Sequence, residues 1–338
     1  MVNRKIICLL KSLIVRGGYY QLKNAMRTGE NTNIINWQMH GERMDYNLPK
    51  CDCQSTFTPV IAHTYWQGEV GEKQLFSIKS FLCTQQMENF EIWLWLEENS
   101  YEANLQNSAL QRLVMMSNHK LVLKKWNVFL EIQSTPAENG KSYFRWSGKP
   151  LPFIADDFRI IALYKYGGLY FDLDVMFCRD LSPLLMRGEF VYAWEKQPFA
   201  NNDLLFLHKR SALAECIIKK MIKEKSSQPW VVFHYDDLNL RFLTVYPCYM
   251  FDPLWNGYVD GMPIQDFDDF FREFSVVFKK DEKVNSFKDF FTGIYAYHWH
   301  NRWKSLTCED SYFGLFNKEF DMMMEEFNKN VCKRMVSI

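Results

Sequence analysis

Apolar positions in the first half of the chain follow two alternating periods. PVIAHTYW (residues 59–66) is β-branched and aromatic, suits a buried strand and stops at Gly68. In the next segment (71–86), Leu75, Ile78, Phe81 and Leu82 fall at helical spacing. FEIWLWL (90–96) reads as a second strand ended by EENS. A helix over 104–117 and a strand over KLVLKKW (120–126) follow. This β-α-β-α-β order predicts an α/β fold, a mostly parallel sheet flanked by helices.

The pattern sharpens in the middle of the chain. Over 152–168, Ile154, Phe158, Ile161 and Ala162 form one apolar stripe, and Gly167 and Gly168 end the helix. Asp156 and Arg159, three apart, project from one side, while Asp157 points elsewhere. LYFDLDVMF (169–177) then predicts a strand in which Asp172 and Asp174 face one way and Leu173 the other. Tyr312–Val331 predicts an amphipathic helix packed on the domain. Three regions result: an irregular lead-in over 1–56, one catalytic-sized domain over 57–306, and a helical extension over 307–338, with no repeat and no low-complexity linker.

Composition narrows the function. The 338 residues carry 40 basic and 40 acidic side chains and no long basic run, which argues against a nucleic-acid partner. Of nine cysteines only Cys51 and Cys53 lie close together, with no second pair at zinc spacing, so reduced thiols and a reducing compartment are expected. Ile6–Val15 follows Arg4 and Lys5 but is short and interrupted by Lys11. A spanning helix needs roughly 20 apolar residues. This stretch therefore predicts an amphipathic first helix or a peripheral membrane contact, ahead of a signal-peptide core, and a cytoplasmic or cytoplasmic-face location.

Two carboxylates on one side of a buried strand repel unless neutralised. A hard divalent ion such as Mg²⁺ or Mn²⁺ takes oxygen ligands and keeps positions open for substrate phosphates. In open parallel sheets, ligands bind beyond the carboxyl ends of the strands. Asp172 and Asp174 therefore suit a metal-bound diphosphate.

The wider context is more specific. ADDFRIIALYKYGGLYFDLDV (155–175) resembles the D-x-x-R…YGG-[IL]-Y-x-D-x-D signature of DXD-containing glycosyltransferases with a sugar-binding region. These include capsular-polysaccharide and α-1,4-galactosyl- or N-acetylglucosaminyltransferase groups. His63 to Trp66 resembles the family's H-x-x-W element, and IYAYHWHNRWKS (294–305) is similar to its closing segment, so landmarks run from Val60 to Ser305.

The resemblance implies a GT-A-type fold and sugar transfer from a nucleotide sugar to a glycan or glycoconjugate hydroxyl, with retention at the anomeric carbon. UDP-sugar donors are expected ahead of GDP-mannose. It implies that Asp174 binds Mn²⁺ or Mg²⁺ directly, that Asp172 contacts donor hydroxyls or the metal, and that His298, His300 or Asn301 completes the coordination. Asp156 and Arg159 would contact the donor sugar. Trp66 would stack on the base with Tyr65 beside it, and Trp303 and Lys304 would close over the diphosphate. Asn201, Asn202 and Asp203 would line the acceptor side. His63 is expected to be structural.

Three other readings compete with this one. A binding module without turnover would not need Asp172, Asp174 and Arg159 together. A nucleotidyltransferase needs a glycine-rich basic loop, and HTYWQGEVGEK offers only Gly68, Gly71 and Lys73. A toxin-like glycosyltransferase acting on protein shares the aspartate and arginine spacing, but no delivery segment is visible.

Overall fold

A computed structural model describes residues 59–336 apart from 146–147, 238, 241–242, 259–260 and 278–282, with side chains at 327 and 329–336 also outside the described set. The lead-in over 1–56, with Ile6–Val15, Cys51 and Cys53, lies outside the described residues.

Strands β1 (Val60–Trp66), β2 (Phe90–Glu97) and β3 (Leu121–Trp126) pair in parallel around helix α1 (Glu72–Thr84), as the alternating periods predict. The helix expected over 104–117 is two helices, α2 (Glu98–Leu105) and α3 (Ser108–Met116). Asn107 separates them. Its side-chain oxygen caps α3 by accepting from the Leu110 N–H at 3.0 Å, and its amide donates to the Val70 carbonyl at 2.8 Å. EENS thus opens α2 rather than forming a plain turn.

Helix α4 (Leu151–Tyr166) crosses the sheet and is buried on nearly every side, not along one stripe. Gly167 caps it, donating its N–H to Leu163 at 2.8 Å. Gly168 starts β4 (Gly168–Phe171) at φ +113°, where a Cβ would sit 2.1 Å from the Ile61 carbonyl oxygen. Only glycine lets β4 come this close to β1. The full sheet runs β3-β2-β1-β4-β7-β6-β8, with β6 (Phe190–Ala193), β7 (Ala200–Leu207) and β8 (Thr244–Tyr246). Four of its pairings are parallel, while β4–β7 and β6–β7 are antiparallel.

The strand expected over 169–177 is broken. Asp172 to Asp174 form a turn, and β5 (Val175–Phe177) leaves the main sheet to pair with β9 (Ala296–His298). Two partners pull the chain apart here. The Asp172 N–H donates to the Asp203 carbonyl at 2.9 Å, while the Asp174 carbonyl accepts from the Trp299 N–H at 3.0 Å.

Strand alternation feeds two cores. Ile92, Leu94 and Leu96 enter one, and Trp95 of the same strand enters the other. Helix α5 (Tyr312–Val336) buries Phe313, Phe316 and Phe320 in the first core, against Phe76 of α1. The packed amphipathic tail is therefore present. Among the described residues no helix is long and apolar enough to cross a membrane.

Candidate active site

The turn after β4 lies at the carboxyl end of the parallel strands. Antiparallel pairing of β4 with β7 brings Asn201, Asn202 and Asp203 beside it, since Phe171 opposes Leu204. The β5–β9 register sets Val175 opposite His298, so His298 meets Asp174. His300 and Asn301 follow at φ 50° and 56°. Such left-handed non-glycine residues cost on the order of 1 kcal/mol or more each. Here they aim the Asn301 N–H at Asp174 Oδ2, 2.7 Å away.

One half of the site is built on Arg159, 3% exposed. Its Nη2 donates to both oxygens of Asp172 at 3.2 Å and lies 3.4 Å from Asp156 Oδ1. Nη1 donates to Asn202 Oδ1 at 2.8 Å and to Asp203 Oδ1 at 3.4 Å. Nε donates to the Ala155 carbonyl, and the guanidinium lies 4.5 Å over the Tyr170 ring. Burial opposes the charge, but Asp172, Tyr170, Asp156 and Asp203 raise the pKa further above the ordinary arginine value. Asn202 Nδ2 donates to Asp156, whose pKa burial pushes up to about 6 against the opposing pull of Arg159. Asp172 also accepts from the Tyr170 hydroxyl. It keeps 23% of its side chain exposed, and burial still raises its pKa well above the carboxylate range.

The other half is built on His298. Its Nε2 lies 3.2 Å from Asp174 Oδ2, and its Nδ1 lies 3.0 Å from Asp203 Oδ2 and 3.8 Å from Asp252 Oδ2. Burial would lower its pKa, but Asp174 and Asp203 outweigh that and raise it to about 10. In return, burial of Asp174 and Asp203 is overcome mainly by His298, which holds both below the usual carboxylate range. His300 stacks on His298 at 3.8 Å between centroids, and its Nε2 meets Asp252 Oδ2 at 2.7 Å.

This half fits a divalent cation. Asp252, His298 and His300 offer donor atoms that all lie within 4.8 Å of one another, and Asp174 and Asp203 flank them. Asp252 Oδ1 is buried with no partner among the described residues. A buried carboxylate oxygen left so is costly unless a cation meets it. An ion at His298 would replace its proton, since a ligating imidazole must be neutral.

The structure brings Asp156, Arg159, Asp172, Asp174, Asp203, His298 and His300 into one cluster. Asn201 and Asn202 lie buried beneath it rather than on an open acceptor rim, because Arg159 and Asp203 engage them. Asn301 reaches Asp174 through its backbone, while its side-chain oxygen accepts from Trp303 Nε1 at 2.9 Å. Trp303 packs against Trp66, with 4.9 Å between ring centroids. Tyr65 is not in the cleft: it is buried in the second core, stacked 4.9 Å from Phe158. Lys304 is exposed. Lys73 instead secures this loop, its ammonium donating to the Arg302 and Ser305 carbonyls. His63 is structural, linking Trp95 Nε1 and the Gly167 carbonyl, each at 3.0 Å.

Asp252 and Tyr192 were missed by the sequence reading. Asp252 lies in a loop with no motif around it. Tyr192, whose hydroxyl is 3.4 Å from both Asp203 and His298, looks like any strand aromatic. Tyr170 was legible in principle, since it sits two residues before Asp172.

Residues 71–191 match the family described as "Glycosyltransferase sugar-binding region containing DXD motif". Among solved structures, the chain is similar to the PaToxG glycosyltransferase at 13% identity, over 69% of this chain and 77% of that one, with a TM-score of 0.39. It is also similar to the glycosyltransferase GlyE of Streptococcus pneumoniae, at 12% identity over 82% of this chain and 64% of that one, with a TM-score of 0.41. A UDP-bound glycosyltransferase domain of the YGT toxin is 10% identical over 50% of this chain and 62% of that one, with a TM-score of 0.35. The match spans less than two thirds of GlyE and of the toxin domain. No curated protein matches the chain.

Proposed function

We propose that the chain moves a hexose or N-acetylhexosamine from a nucleotide sugar, a UDP-sugar ahead of GDP-mannose, to a hydroxyl of a glycan or glycoconjugate. We further propose that it needs Mn²⁺ or Mg²⁺ and retains the α-configuration. The observation that carries the reading is the D-x-D turn held between Arg159 on one side and His298 on the other.

Asp252, His298 and His300, with Asp174 and Asp203 beside them, would hold the ion. When bound, it would supply positive charge to the nucleoside diphosphate that departs as the sugar passes to the acceptor. Asp172 keeps an open edge and is fixed by Arg159 and Tyr170, so it is placed to accept from a donor hydroxyl. Arg159 was expected to touch the donor itself. Its donors are already taken by Asp172, Asp203, Asn202 and Ala155, so it acts as a positioning residue. Trp66 and Trp303 touch each other, so a base would stack on an open face of the pair, and the exposed Lys304 would add positive charge nearby. No general base is assigned, because a retaining transfer of this kind can pass the acceptor proton to the leaving phosphate.

The test is release of UDP or GDP by purified protein with Mn²⁺ and, in turn, UDP-glucose, UDP-galactose, UDP-N-acetylglucosamine, UDP-N-acetylgalactosamine and GDP-mannose. Release from one donor, abolished by EDTA and by Asp174→Ala, is expected. Silence across the set, with no metal-dependent nucleotide binding, would sink the reading.

A further inference from the structure

A run of aromatic rings leads away from the cluster and has no place in either core. His300 stacks on Trp255 at 4.3 Å, and Trp255 lies 5.8 Å from Trp194. Trp194 lies 5.6 Å from Phe199, and Phe199 lies 6.3 Å from Trp230, which is 47% exposed. Trp194, Phe199, Trp230 and Trp255 belong to neither buried cluster, although each is large enough to stabilise one. Their backbone positions explain the direction. Trp194 and Phe199 flank the β6–β7 connection, whose β7 end carries Asp203, and Trp255 follows Asp252 by three residues. The run therefore starts at the carboxylate cluster and ends at the surface.

Its chemistry selects an occupant. A pyranose ring has faces of C–H bonds with partial positive charge, which meet the negative face of an indole, and an equator of hydroxyls that needs polar partners. Both are present. Trp194 Nε1 is buried with no hydrogen-bond partner among the described residues. Glu195 and Asn256 directly follow Trp194 and Trp255 in the chain, and the backbone of His234 is bridged to that of Phe199. A lipid surface would be met by basic and aliphatic side chains, whereas Lys196 is already paired with Glu195 at 3.6 Å.

We propose that this strip is an acceptor subsite that binds an oligosaccharide, with successive pyranose rings stacking on Trp255, Trp194 and Trp230. This deepens the transferase reading and rests on it for the word acceptor, though not for saccharide binding itself. The chain would then elongate or decorate a glycan of several sugars rather than a monosaccharide or a bare protein.

Calorimetric titration of the full chain with cellohexaose, maltohexaose and chitohexaose, at millimolar concentration, tests it. At least one should bind. Trp230→Ala and Trp230→Leu should weaken that binding roughly threefold to tenfold, and Trp230→Phe should largely restore it. Phe199→Leu is the second variant should Trp230→Ala fail to fold by circular dichroism, and the same weakening is expected. Binding of none of the three saccharides, or equal binding by Trp230→Leu, overturns the proposal. So does a dimer seen by sedimentation that Trp230→Ala dissolves, since that assigns the strip to self-association. Titration of the wild type with UDP and Mn²⁺ separates the two readings: UDP binding without saccharide binding removes only the subsite, and the reverse removes only the transferase.

Discussion

The two halves of the cluster solve one electrostatic problem differently. On one side Asp156, Asp172 and Asp203 surround Arg159, a cation that does not give up its proton in a protein. On the other, Asp174, Asp203 and Asp252 surround His298, whose charge depends on a proton that a metal ion can replace. Asp203 joins the halves, with one oxygen on each cation. The comparison teaches that a nest of buried carboxylates need not be uniform. The arginine half is permanent and sets position; the histidine half is exchangeable and can take a cofactor.

The largest way to break this contrast is Arg159→Met. It leaves three carboxylates of the arginine half without their cation, and loss of one partner of such a buried set costs about 3–5 kcal/mol. Urea unfolding should show that loss, and a variant as stable as wild type would make the guanidinium dispensable. Next comes Asp174→Asn in the other half. Donor turnover should fall roughly 10²–10³-fold, while the urea midpoint moves far less than for Arg159→Met. Equal destabilisation by both would erase the distinction between the halves.

His63 sharpens the contrast from outside the cluster. It is as buried as His298, but no carboxylate faces it, and burial lowers its pKa to about 4. Its folded pKa lies below the ordinary 6.5, so the unfolded chain binds the proton more readily. Its stabilising contribution is then complete above pH 6.5 and lost as pH falls toward 4. Between pH 7 and 5, wild type should lose about 2 kcal/mol more than His63→Gln. Parallel pH profiles for the two proteins would contradict this. The smallest effect expected is at the rim: Trp66→Ala should weaken UDP by about tenfold, the scale of one base–aromatic stack. An unchanged affinity by fluorescence titration would leave the Trp66–Trp303 pair without a base.

Much of the arginine half was legible because its parts lie close in sequence. Asp156, Arg159, the two glycines and Asp172 fall within one helix, one turn and one strand, where helical and strand periods place side chains directly. The Gly168 requirement has a cause visible only in space, the approach to Ile61. The histidine half depends on contacts between distant segments. Asn301 reaches Asp174 across 127 residues, and Asp252 enters from a loop that no periodicity marks. Alternation also misread the D-x-D itself. A strand would point both aspartates one way, but Asp172 is bonded to β7 and Asp174 to the residue after β9, so the chain must turn between them.

On this geometry the His298 half is built to hold one divalent ion. Titrating Mn²⁺ into the protein while following the electron paramagnetic resonance signal of the free ion tests it most directly. About one tightly bound ion per chain is expected for wild type, with affinity lowered at least tenfold in His298→Ala and in Asp174→Asn and little altered by Trp66→Ala. Mn²⁺ binding that survives both of the first two substitutions would contradict the account.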